Sequence, residues 1–241
     1  MSQLPSPALH YAVIGAGRLG HALSGALREA GAVVSGPLGR GEPVPECDVV
    51  LLCVPESAIA LVSAALPTGP CVGHCSASFP MEALAPHERF VAHPLLPITK
   101  AGADFRGAVC ATDGSTTRAL EIAEQLARTV GMRPVRVPAD KRALYHAAAS
   151  MAANFITTLE DAAEQLAKPC GIERAELAPL VRAALENWLA LGGKRALVGP
   201  VSRGENETVA RQRVAVADNS PHLLPLWDAL EESTRQLAGR A

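Results

Sequence analysis

The run Tyr11-Ala12-Val13-Ile14-Gly15-Ala16-Gly17-Arg18-Leu19-Gly20 constrains this chain more than any other stretch. An apolar segment short enough for a buried strand leads into glycines spelling G-x-G-x-x-G. Helix-forming residues then follow from Leu19 to Ala30. Each glycine has a distinct task in such a turn. Gly15 allows the tight bend, Gly17 lets backbone approach a pyrophosphate, and Gly20 lets helix lie close to strand. The phosphates would rest on the free N–H groups and positive dipole end of the helix that opens near Arg18. Glycine turns are common, so the motif counts here because strand precedes it and helix follows it. The competing reading is a strand-turn-helix unit that binds nothing.

The 241 residues allow one domain with an appendage or two small domains. Hydrophobic residues make up 49% and aromatics only 3%, so the core must be built from Ala, Val and Leu. A net charge of −2 with no basic tract argues against a nucleic-acid partner. No apolar run is long enough to span a bilayer, and no charged-then-apolar leader opens the sequence, so a cytoplasmic protein is expected. Residues 1–8, with Pro and Ser, read as a loose arm. Cys47, Cys53, Cys71, Cys75, Cys110 and Cys170 fall mostly in strand patterns and are expected to be free thiols. On a strand Cys71 and Cys75 face opposite to His74, so no metal site is expected in that cluster.

Strand signals recur at His10–Ile14, Ala32–Ser35, Cys47–Val54, Cys71–His74, Phe90–Ala92, Ala108–Ala111 and Arg133–Val137. Helices are expected at Leu19–Ala30, from a Ser57 cap to Leu66, and at Ser115–Val130. Cys47–Val54 is apolar almost throughout, as a central parallel strand buried on both faces should be. After Pro138 the strand signals stop. One long helix is expected over Asp140–Ala167, and a second over Glu173–Leu191, interrupted near its start by Pro179. Two more follow, at Glu205–Ala217 and Leu223–Leu237, after a loop at 197–204. The fold class is therefore α/β, an N-terminal doubly wound nucleotide-binding domain (1–138) followed by an all-α C-terminal domain (139–241).

In open α/β sheets ligands bind beyond the carboxyl ends of the strands. Candidate cofactor contacts there are Gly15, Gly17, Arg18, Leu19, Gly20, Ser35, Arg40, Val54, Pro55 and Ser76. Where many NAD-binding folds carry an acidic residue for the ribose 2′-hydroxyl, this chain has Ser35 to Arg40 and no carboxylate before Glu42. A hydroxyl and an arginine suit a 2′-phosphate, which favours NADP(H) over NAD(H); otherwise Arg40 is a solvated loop residue. His74 and His93 also fall at strand ends, and either could bond a substrate carbonyl or pass a proton. On the long helix His146, Ser150 and Asn154 stand four apart and form one polar stripe among Ala, Met and Phe. Such a stripe lines either a wet cleft or a buried hydrogen-bond ladder. Arg203 either pairs with an acidic substrate group or ties its turn to the helix ahead.

This order of parts resembles the 6-phosphogluconate dehydrogenase-like superfamily, which includes ketopantoate reductase, pyrroline-5-carboxylate reductase and prephenate dehydrogenase. Within it the chain is most similar to Rossmann-like proteins with a DUF2520 C-terminal domain. The matching stretches are Val13–Leu23, Leu51–Glu56, His93-Pro94-Leu95, Tyr145–Phe155 and Ala196–Val209. The resemblance implies NADP(H)-linked oxidoreductase chemistry and, from relatives whose helical domains exchange surface, a homodimer. Matching Asn154-Phe155-Ile156-Thr157 to the Asn-Pro-Leu-Thr of ketopantoate reductase sets His146 where that enzyme has its catalytic Lys, and Ser150 where it has a second Asn. His93-Pro94 resembles the His-Pro segment of prephenate dehydrogenase. Relatives usually continue the Arg203-Gly204 loop with Asp, where this chain has Glu205.

The expectation is an NADP(H)-dependent reductase of a small carbonyl or imine compound. His146 would be the general acid, placed by Ser150 and Asn154, with His93 and Arg203 on substrate. A protein that binds NADP(H) without turnover, as sensor or scaffold, is the alternative, and the missing Lys supports it.

Overall fold

The structure is a computed structural model and describes residues 9–239; the expected loose arm at 1–8 lies outside them. Two compact units divide at Ala153/Asn154. The first alternates β1 (His10–Ile14), α1 (Arg18–Glu29), β2 (Val33–Leu38), β3 (Val49–Leu52), α2 (Glu56–Ala64), β4 (Cys71–His74), β5 (Arg89–Leu95), β6 (Val109–Gly114), α3 (Thr117–Thr129) and β7 (Arg133–Arg136). Among the described residues these strands form one sheet in the order β2-β1-β3-β4-β5-β6-β7. Every pair is parallel except β5 with β6. The chain from Leu96 to Ala108 supplies no crossover helix there, so it returns antiparallel.

Alternation along the central strands decides which helix covers which face. Tyr11, Val13, Val49 and Leu51 pack with Leu23 and Leu27 of α1 and with Leu126 of α3. Ala12, Ile14, Val50 and Leu52 turn the other way, onto Ile59 of α2 and Leu84. The sheet is thus buried on both faces, the doubly wound arrangement expected from its near-continuous apolar strands. Strand β2 runs on to Leu38, beyond the expected end at Ser35. It lies at the sheet edge, where Pro37 removes no needed ladder bond.

After a single 3₁₀ turn at Ala139–Lys141, α4 (Arg142–Ala149) passes into a π-helical stretch, Ser150–Phe155, and then α5 (Ile156–Ala167). The single α-helix expected over Asp140–Ala167 is therefore not what forms. A π turn bonds residue i to i+5 and holds an extra residue, and no composition signal in Ala-rich sequence marks it. The second unit continues with α6 (Arg174–Leu191), the short α7 (Gly193–Ala196) and α8 (Pro200–Arg203), then α9 (Asn206–Asn219) and α10 (Leu224–Ala238). Pro179 does not interrupt α6. It stands near the helix start, where it forfeits one bond, and a Glu173–Glu176 capping box secures the first turn. Few residues of this unit are fully buried, among them Ala162, Val209 and Val216, whereas Leu180, Trp188 and Leu189 of α6 are exposed.

Candidate active site

The parallel strands bring their carboxyl ends to one edge of the first unit. At its β1–β3 end the glycine turn is built as the motif requires. Gly15 has φ +116°, and a Cβ there would meet the Cys53 carbonyl at 2.4 Å. A Cβ on Gly20 would stand 1.8 Å from the Gly15 carbonyl oxygen. A Cβ on Gly17 would meet nothing within 4 Å. The fold thus demands glycine at 15 and 20 but leaves open space over Gly17. Gly17 caps α1 with no side-chain hydrogen bond, and the first turn carries no acidic residue. The orphan N–H groups of that helix end are left to an outside acceptor.

Gly15 N–H donates to the Leu38 carbonyl (2.8 Å), which draws the tip of β2 beside the turn. A cavity of about 670 Å³ runs along this end, lined among others by Gly15, Ala16, Arg40, Val54 and Pro55. In the loop after β2 the Gly39 N–H donates to Oε2 of Glu42 at 2.7 Å. Ser35 lies farther back, inside β2 opposite Ala12, with its hydroxyl 2.9 Å from Nε2 of His10.

Beyond β4 and β5 the edge is crowded with side chains. His74 is fully buried; its Nδ1 accepts the Ser76 N–H at 3.1 Å and its Nε2 is sealed without a partner. Burial, reinforced by the Arg142 guanidinium, pushes its pKa down to about 4. The Ser76 hydroxyl donates to Oε1 of Glu56, and Ser78 donates to the same oxygen at 3.0 Å. These bonds, Ser76 first, hold the Glu56 carboxyl below its ordinary pKa. Ser76 is therefore committed to closing its own loop.

His93 lies two residues past the last β4–β5 pair, His74–Val91, so its ring reaches beyond the end of β4. Its Nδ1 is 2.9 Å from the Tyr145 hydroxyl of α4, with the two rings edge to face at 86°. His146 follows, its ring centre 6.2 Å from that of His93. Burial and then the His146 charge push His93 down to about 4, so the imidazole is neutral at pH 7. Burial raises the Tyr145 phenol. The start of α4 is tied to the sheet by Arg142, which donates to Asp113 of β6 at 2.6 Å with both side chains largely buried. This anchor fixes where Tyr145 and His146 stand.

A family model for a domain of unknown function, DUF2520, matches residues 108–234, more than half of the chain. The chain belongs to the DUF2520 family. No curated protein matches it. Two solved structures align at a TM-score of 0.82: a provisionally named NADP oxidoreductase from Bacteroides fragilis and a protein from Thermotoga maritima. They are 21% and 22% identical, cover 95% of this chain, and are themselves covered over 98% and 99%. A reductive aminase from Aspergillus terreus, in complex with NADPH and ethyl-5-oxohexanoate, aligns at 0.68 with 14% identity, covering 97% of this chain and 98% of its own. At these identities the likeness establishes a shared fold.

In this DUF2520 protein the structure gathers Gly15, Gly17, Arg18, Leu19, Gly20, Arg40, Val54 and Pro55 at one end of the edge, and His93 with His146 at the other. Ser150 begins the π-helical stretch and Asn154 lies within it, so side chains four apart no longer stack as on an α-helix. Asn154 opens the second unit. Arg203, also of that unit, forms a two-point pair with Glu205 at 2.6 and 3.1 Å. Neither Tyr145 nor Arg142 is a site candidate in the sequence, because nothing local links Tyr145 to His93 or Arg142 to Asp113. Only the His-Pro and Tyr-His dipeptides of the family resemblance hinted that α4 meets β5.

Proposed function

We propose that this protein is an NADP(H)-dependent oxidoreductase that reduces a small carbonyl or imine compound. The observation that carries this reading is the open space over Gly17 at an uncapped and acid-free helix start, directly after Gly15 and Ala16, which line a cavity of about 670 Å³. A backbone cradle that the fold does not fill suits a pyrophosphate. The residues present therefore fit a dinucleotide. The Gly15–Gly20 backbone with Arg18 would hold the diphosphate, Val54 and Pro55 would border it, and Arg40 at the cavity rim would pair with a 2′-phosphate. When bound, such a cofactor supplies a hydride. The Bacteroides fragilis neighbour, provisionally named an NADP oxidoreductase, and the Aspergillus terreus reductive aminase in complex with NADPH support the assignment.

The chain's own contribution lies at the histidine end. Reduction of C=O or C=N leaves negative charge on the heteroatom, which must be bonded and then protonated. His93, neutral, is suited to hydrogen bonding, and His146, exposed beside it, to delivering a proton. Ser150 would support that segment of helix. The exposed Leu180, Trp188 and Leu189 of α6 support a homodimer, the state that the family resemblance implies.

Calorimetry with NADPH and NADH tests the first part: heat with either is expected, and none at millimolar ligand would overturn it. A carbonyl and imine panel with NADPH oxidation as readout tests the second. His146→Ala should lower the rate by about 10² or more, and an unchanged rate with unchanged cofactor affinity would remove the acid assignment.

A further inference from the structure

At the histidine end of the edge, two imidazoles present the same nitrogen pattern with opposite outcomes. In His74, Nδ1 accepts a backbone N–H, which leaves the ring proton on Nε2, and that atom is sealed in the core. In His93, Nδ1 faces the Tyr145 hydroxyl at 2.9 Å. That hydroxyl has no other hydrogen-bond partner among the described residues, and a phenol is a better donor than acceptor towards imidazole. His93 Nε2 has no hydrogen-bond partner among the described residues, and it is not among the buried unpartnered atoms that include Nε2 of His74. It therefore opens to solvent.

We infer that Tyr145 is a positioning residue for His93. Its hydroxyl donates to Nδ1, holds the ring on edge, and keeps the proton on Nε2, so that His93 offers one directed N–H donor to the oxygen or nitrogen of the substrate. The substrate-facing part of this assignment rests on the oxidoreductase reading above. Three constraints fix the geometry. The Arg142–Asp113 pair at 2.6 Å anchors α4 to β6. The edge-to-face contact, with ring centres 5.5 Å apart, sets the tilt of the imidazole. Extension of β5 past β4 frees the far side of the ring. A hydrogen bond to one ring nitrogen that selects the tautomer decides which nitrogen of a histidine can donate. His93 and His146 then divide the work, one bonding the heteroatom throughout and the other exchanging the proton.

The test is long-range ¹H–¹⁵N correlation of the full chain labelled with ¹⁵N-histidine at neutral pH. The wild-type spectrum should show His93 protonated at Nε2, with its Nδ1 resonance displaced as an accepted hydrogen bond requires. Tyr145→Phe should move the Nδ1 resonance to the unbonded position while leaving the His74 signals in place. His93→Ala supplies the assignment by deletion. A wild-type His93 protonated at Nδ1 would overturn the inference, as would an Nδ1 resonance indifferent to Tyr145→Phe. Should Tyr145→Phe not fold, replacing both tyrosines by 3-fluorotyrosine strengthens the donor and should displace Nδ1 further; no displacement would count against the inference. The spectra need neither cofactor nor substrate. A chain that binds no dinucleotide would defeat the proposed function while leaving the tautomer result intact.

Discussion

The two ends of the sheet's carboxyl edge are built by different means. The β1–β3 end is made of backbone: three glycines, an uncapped helix start and a cavity. The β4–β5 end is made of side chains drawn from four elements, with His74, Ser76 and Glu56 in one bonded group and His93, Tyr145 and His146 in another. The difference teaches that an end built of backbone can be specified by a few adjacent residues, whereas an end built of side chains needs the whole sheet to be in register first.

The largest effect should come from substitutions within the glycine turn, which split by position. Gly20→Ala puts a methyl group 1.8 Å from a backbone carbonyl and should cost about 3 kcal/mol or more in urea denaturation. Gly17→Ala meets open space at an ordinary negative φ of −86°, and its stability should stay within about 0.5 kcal/mol of wild type. Its affinity for NADPH should nonetheless fall about tenfold by calorimetry. Equal loss of stability in both variants would erase the distinction between a glycine kept for the fold and one kept for a ligand.

Next comes the buried histidine. A histidine whose folded pKa lies below its unfolded value opposes folding once protonated. Its stability is complete above about pH 6.5 and is lost as pH falls towards 4. For the fully buried His74 the span is worth up to about 3 kcal/mol. His74→Asn keeps an acceptor for the Ser76 N–H but does not titrate. It should be less stable than wild type at pH 7.5 and should lose less on acidification to pH 4.5. A slope identical to wild type would mean that the sealed ring does not govern acid sensitivity.

His93→Ala should behave in the opposite way. With its far nitrogen open to solvent, the loss should appear in activity, about tenfold in kcat/KM for a hydrogen bond of ordinary strength, with stability affected less than in His74→Asn. Finding the larger stability loss at His93 would reverse the roles assigned to the two rings.

The same contrast explains what was legible in the sequence. The G-x-G-x-x-G turn, the apolar runs of β1 and β3 and the alternation of strand and helix reveal the doubly wound sheet, because each signal is local and repeats one period. Strand β2 reads short because Gly36-Pro37 looks like a strand end, and only its edge position makes Pro37 acceptable there. The His146-Ser150-Asn154 spacing assumes one α-helix, and the π-helical turn beginning at Ser150 leaves no trace in composition. Tyr145 and His93 are 52 residues apart, and their bond depends on the antiparallel return of β6 and on Arg142 reaching Asp113. No window along the chain contains that information.

The smallest effect, and the finest test of the backbone-built end, concerns Glu42. Its carboxylate accepts the Gly39 N–H at 2.7 Å beside Arg40, in the loop where a 2′-phosphate would be read. A carboxylate there repels a phosphate but can accept from a ribose hydroxyl, so under the proposed function Glu42 would work against the preference that Arg40 would confer. Glu42→Gln keeps an acceptor for Gly39 and removes the charge. Calorimetry should show the NADPH-to-NADH affinity ratio rising a few-fold, mostly through NADPH, consistent with an exposed and salt-screened interaction of about 1 kcal/mol or less. The gain should shrink as ionic strength increases, while Arg40→Ala should lower the same ratio. A ratio insensitive to both substitutions would mean that the tip of β2 does not read the ribose. Any preference for NADP(H) over NAD(H) would then have to originate at Arg18, across the glycine turn.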